Sequence, residues 1–198
     1  MANKSFSKLT SRNQSSLVSQ LHKLINYYSG IFCSRERVYL KNLTKTDGSV
    51  YWIEDEAKKL MAVAIMDPNY KFNVLGFDLV TIGHTISNKS GQMERLLHHI
   101  FTDFEEKTLN LICKPFVADS MGVKDYQMIG LNSLELLEYF PELANTKTDY
   151  FNVTENLAVG LARKEHQIYF RFIQDDLKTI ASRNPNLFKL VSAKLAEA

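Results

Sequence analysis

Cysteine is scarce in this chain, and its absence excludes several classes at once. Cys33 and Cys113 are the only two in 198 residues. They are far apart and match no disulfide framework, metal site or redox pair. Cys113 sits in an apolar run (LNLICKPF) and reads as a buried structural thiol rather than a nucleophile. Long apolar runs are missing as well: nothing approaches the ~20 residues that cross a bilayer. Nor does one sign of charge prevail. Lys and Arg number 24, Asp and Glu 22, for a net charge of +2, and no run of Lys and Arg exceeds two residues. That balance is too small to argue for nucleic acid, and neither a nucleic-acid nor a membrane partner is expected. The single tryptophan, Trp52 beside Tyr51, reads as core or pocket wall rather than a base-stacking platform. The first residues, MANKSFSKLTSRNQSS, are Ser-rich and basic, without the apolar stretch of a secretory signal and Arg-poor for a transit peptide. Residues 1–14 are expected to form a flexible tail, and the protein to be cytoplasmic.

Core-forming residues are plentiful: 45% of the chain is hydrophobic and 11% aromatic, ample for a folded domain. Leu17, Leu21, Leu24, Ile25 and Tyr28 recur at helical spacing, and Gly30 can end that helix. Residues 49–54 (SVYWIE) and 60–66 (LMAVAIM) predict two strands joined by a charged turn. Residues 74–85 predict a longer strand with Gly76 and Gly83 inside it. Met93, Leu96, Leu97, Ile100, Phe101 and Phe104 give the clearest helical stripe. A buried strand over 109–116 follows, then helix near 123–129, then strands near 134–140 and 157–162. Tyr169, Ile173, Leu177 and Ile180 predict a C-terminal helix. Asn184-Pro185 marks a stop and a new start, and Leu187, Leu190, Val191 and Leu195 form a second stripe. The expected class is α/β (α+β): a mixed, mostly antiparallel sheet flanked by helices. Residues 15–162 form the domain, with 163–198 as a helical pair packed on it.

Chemistry is best argued at NKSGQMERLL, residues 88–97, where a polar loop with one glycine opens the strongest helix. Such a loop offers unpaired N–H groups and the positive end of the helix dipole, which suits a phosphate. The donors would come from Asn88, Lys89, Ser90, Gly91, Gln92 and Met93, with Lys89 adding charge. The same pattern also suits a plain helix cap by Asn88 or Ser90. His98 and His99 are adjacent on a helix and cannot share a metal ion, so no metal is expected.

These residues resemble the GCN5-related N-acetyltransferase superfamily. Its main motif is a long fourth strand, then Gln/Arg-x-x-Gly-x-Gly/Ala, then a helix with paired apolar residues. Asn88, Gly91, Met93 and Leu96-Leu97 stand at those positions. Its second signature, Tyr-x-x-x-Gly-Phe, aligns with Tyr126, Gly130 and Leu131, and Asp119 falls where many members carry an Asn that closes the fifth strand. The likeness spans roughly residues 49–162. It implies an acyl-CoA N-acyltransferase-like fold and transfer of an acetyl group from acetyl-CoA to the amine of a small molecule or a protein. It also implies Tyr126 as general acid and a base on or beside the fourth strand. Asp78 and His84 lie on that strand, and Glu54 and Glu56 are weaker candidates. Met93 departs from the pattern, setting a bulky residue where the pyrophosphate must come close.

Two other readings stand beside the enzyme. One is an inactive acetyltransferase-like fold, blocked at Met93, that serves as a protein-interaction module through its C-terminal helices. The other is a nucleic-acid-binding helical appendage using Lys178, Arg183, Lys189 and Lys194, although a helix with these charges is usually a solvated face. Whether the protein forms a homodimer is left open.

Overall fold

The computed structural model describes residues 11–27, 50–67, 71–72, 77–139 and 167–198. Cys33, residues 1–10, most of the turn at 67–69 and the strand expected at 157–162 lie outside the described residues. The chain forms two compact units: residues 1–68 with 82–103, and residues 69–81 with 104–198.

In the first unit, α1 (Ser11–Tyr27) buries Leu17, Val18 and Leu21 and packs on β2. The helix opens at Ser11, so four of the residues expected in the tail are helical. β1 (Val50–Glu54) and β2 (Leu60–Asp67) form the expected antiparallel hairpin, with Trp52 opposite Val63 and a bulge between Ile53 and Glu54. Asp55 closes its turn: its carbonyl accepts from Lys58 N–H at 3.0 Å, and its Oδ1 accepts from Lys59 N–H at 2.8 Å. Residues Val50 to Ile53 are all buried rather than alternating in and out, as in a strand covered on both faces. β4 (Phe77–Ser87) follows β2 in the strand order and is shared by the two units, residues 82–87 falling in the first; its residues 77–81 and the short β3 (Lys71–Phe72) that pairs with it belong to the second. α2 (Gln92–Asp103) lays Met93, Leu96, Leu97, Ile100 and Phe101 on β1 and β2. Tyr51 hydroxyl donates to Asp103 Oδ2 at 2.9 Å and fastens the far end of that helix.

In the second unit the strand order is β4-β5-β7-β6, with β5 at Thr108–Cys113, β6 at Ile129–Asn132 and β7 at Gln167–Arg171. The last strand in sequence therefore lies between two earlier ones, antiparallel to both. Tyr169, expected in a helix, is therefore on a strand, and the expected C-terminal helical pair starts only after it, at Gln174. Between β5 and β6 run α3 (Pro115–Ser120) and a 3₁₀ turn at Val123–Tyr126. A helix, α4 (Ser133–Tyr139), replaces the strand expected near 134–140. Its start is a reciprocal cap: Asn132 Oδ1 accepts from Leu134 and Glu135 N–H, and Glu135 Oε2 accepts from Asn132 N–H. α5 (Gln174–Arg183) and α6 (Pro185–Glu197) pack together and bury Ile180, Leu187 and Val191 against Leu79, Ile129, Leu131, Ile168 and Phe170. Among the described residues no helix is long and apolar enough to cross a membrane.

Candidate functional site

The turn that opens α2 is built from hydrogen bonds at its entry and left open at its end. Asn88 anchors the entry: its backbone N–H donates to Met61 O and its Nδ2 to Leu60 O, both at 3.0 Å. Asn88 is thus a staple between the end of β4 and the start of β2, and its N–H is not the ligand donor that the sequence suggested. Lys89 N–H is directed at Ser87 Oγ at 3.3 Å, while that hydroxyl donates to Lys89 O at 2.7 Å. Gln92 N–H makes a long 3.4 Å bond to Lys89 O, and its Oε1 accepts from Arg95 at 3.2 Å.

Beyond that entry, the N–H groups of Ser90, Gly91, Met93 and Glu94 have no partner among the described residues. They are the orphan donors of a helix start. Among the described residues no side chain caps them: the Asn88 side chain donates to Leu60 O instead, and no cap by Ser90 is formed. Gly91 has φ +75°, and a Cβ there would meet nothing within 4 Å. Glycine adopts this left-handed backbone without strain, and the space beside it is open. Lys89, Ser90 and Gly91 are all exposed.

Met93 corrects a second expectation. Its side chain is 9% exposed and lies with Leu96 and Leu97 in the core, so it does not narrow the loop. The Cβ of a helix residue leans back along the axis, but the apolar face of this helix turns position 93 inward and leaves its N–H at the open end. Glu94 lies one residue beyond the donor set expected from the sequence. It adds a fourth N–H and an exposed carboxylate on the first turn.

Tyr126 ends the 3₁₀ turn of the second unit and is half-buried, followed by Gln127 at φ +54°. Gly130 lies opposite Tyr169 in the β6–β7 ladder, where a Cβ would come within 2.9 Å of that ring. The glycine of the Tyr-x-x-x-Gly pattern is therefore a packing requirement. Asp78 and His84 are on β4, Asp78 opposite Lys71 in the ladder, and the side chains of both lie outside the described residues. Glu54 is half-buried at the end of β1, and Glu56 is exposed in the hairpin turn. Asp119 does not close β5: it is on the surface of α3, 3.7 Å from Lys124. Cys113 is buried, and burial pushes its thiol up to about 12, as expected for a structural cysteine. Trp52 is likewise buried. Of the basic set on the last helices, Lys178 pairs with Asp175 at 2.8 Å and Lys194 with Glu135 at 3.0 Å.

Neither a scan against protein-family models nor a search of curated proteins returns a match for this chain.

Proposed function

We propose that the protein is an acetyl-CoA-dependent N-acyltransferase with an acyl-CoA N-acyltransferase-like fold, and that the opening of α2 binds the coenzyme's phosphates. The observation that carries this reading is the row of unpartnered N–H groups at Ser90, Gly91, Met93 and Glu94, around a glycine with open space beside it. Backbone donors of this kind satisfy phosphate oxygens, and the helix dipole favours the negative charge. Lys89 is the cation at hand, and its exposed side chain supplies charge without fixed geometry. Glu94 opposes it, so the donors and the lysine act against one carboxylate.

In this reading the coenzyme is a co-substrate, and the acceptor is the amine of a small molecule or of a protein. Tyr126 enters as general acid for the departing thiolate through the Tyr-x-x-x-Gly pattern, with Asp78 or His84 as base. The interaction-module alternative drew on a blocking Met93 and on a free C-terminal helix face. Met93 is turned into the core, and the apolar stripes of α5 and α6 are taken up by the sheet. The enzymatic reading is therefore the stronger one.

Turnover of Tyr126→Phe with an accepted amine tests the chemistry. It is expected to fall roughly 10²-fold, in line with general-acid contributions, with coenzyme affinity unchanged. Full turnover in that variant would remove Tyr126 from the reaction.

A further inference from the structure

A second place in the molecule has hydrogen-bonding groups waiting for a partner, and it lies inside the second unit. Asn110, on β5, is 0% exposed, and neither its Oδ1 nor its Nδ2 has a hydrogen-bond partner among the described residues. Thr81, on β4, is 2% exposed, and its hydroxyl too is without a partner among the described residues. The two strands are neighbours. Asn110 is directly opposite Phe170 and so shares its face of the sheet. Phe170 and Leu79 belong to the cluster closed by Ile180, Leu187 and Val191 of the last two helices, and Thr81 is two residues beyond Leu79 on the same face. Both orphaned groups thus face the underside of α5 and α6.

Their neighbour shows that the fold can satisfy a polar group here. Thr108, also on β5 and two residues before Asn110, is fully buried and donates to Asp176 Oδ2 of α5. Its oxygen also accepts from Ile173 N–H at 3.2 Å. The helix supplies partners for Thr108 and none for Asn110 or Thr81. A buried carboxamide has two donors and one acceptor to satisfy, and buried polar groups in folded proteins are satisfied by protein or by ordered water.

We propose that Asn110 and Thr81 form an internal binding site for a small polar guest that both donates and accepts hydrogen bonds, held beneath α5. Solvent water is one source of that chemistry, and a small molecule carrying an amide or hydroxyl is the other. Water matches the two sealed side chains with the least demand on space, because one molecule typically makes about three hydrogen bonds to otherwise unsatisfied groups. The site shares no residue with the opening of α2 and does not depend on the acyltransferase reading.

Water-contact NMR on the full chain tests it, with native mass spectrometry as the second arm. For water, the Asn110 side-chain amide protons show a contact to a long-lived water. That contact weakens in Thr81→Val and is lost in Asn110→Leu, and the intact chain carries no additional mass. For a small molecule, a non-covalent additional mass is present in the parent and absent in Asn110→Leu. Thr81→Val removes one hydroxyl at nearly constant shape, and the parent spectrum alone reads the contact, so a failure of Asn110→Leu to fold does not block the test. Neither a water contact nor an additional mass in the parent would overturn the proposal.

Discussion

Met93 is the residue on which sequence and structure part most sharply. At the level of motif spacing it stood where a small side chain belongs, and so looked like an obstacle to the coenzyme. Burial at 9% places its side chain with Leu96 and Leu97 instead. Met93→Ala is therefore expected to destabilise the fold by about 2–5 kcal/mol, the usual cost of emptying a buried methionine site. Coenzyme affinity should not rise. Denaturant unfolding and calorimetry on the same variant check both halves, and a tighter-binding Met93→Ala would show that the side chain reaches the loop after all. The sequence could not settle this, because position 93 belongs both to the motif and to the helical stripe. Asn88 was opaque for a similar reason. An Asn before a helix reads as a cap, whereas its bonds to Leu60 and Met61 depend on β2 lying beside β4.

Elements with a strong period were legible: the β1–β2 hairpin, α2 and α6 are where the residue pattern put them. α6 shows why. Asn184 Oδ1 accepts from Leu187 N–H at 3.1 Å, Pro185 occupies the first turn, and a stripe of leucines follows. Removing that cap in Asn184→Ala should cost about 1 kcal/mol. A fall in the chemical-denaturation midpoint with an unchanged slope checks it, and an unchanged midpoint would mean the cap bond is replaced by water. Two elements were misread for definable reasons. The run LELLEY has apolar spacing short enough for either structure, and the deciding signal was local: Asn132 three residues before Glu135, a capping pair. In Gln167–Arg171, a helical spacing drawn through Tyr169 and Ile173 joined the end of a strand to the start of a helix. Ile168, Tyr169 and Phe170 form a run of strand-favouring residues, each buried, which suits a strand flanked on both sides.

For the whole molecule, burial makes a statement about pH. Cys113 is pushed from 9.0 up to about 12 and Tyr169 from 10.0 up to about 12, both chiefly by loss of solvent. Tyr51 moves in the same direction through burial and its bond to Asp103. An acid whose folded pKa is raised stays neutral in the fold while the unfolded chain ionises. Stability is thus fully present below the unfolded values and is lost as pH rises from about 9 towards 12. The melting temperature should begin to fall near pH 9, and in Cys113→Ala that first part of the decline should disappear while the later tyrosine part remains. An unchanged onset in the variant would mean the thiol is solvated. The fold class was readable from composition and period. The insertion of β7 between β5 and β6 was not, because it depends on long-range pairing that no local pattern encodes. The open donors of α2 were legible as a loop before a helix, but which of them are free depends on the anchoring of Asn88. The most direct test of their purpose is isothermal calorimetry of the full chain with acetyl-CoA, run beside Gly91→Asp. Saturable binding in the micromolar range, about −8 kcal/mol, is expected for the parent. In the variant it should be lost while the far-ultraviolet spectrum is retained. No heat in the parent at millimolar coenzyme, with no shift in its melting temperature, would contradict coenzyme binding at the opening of α2.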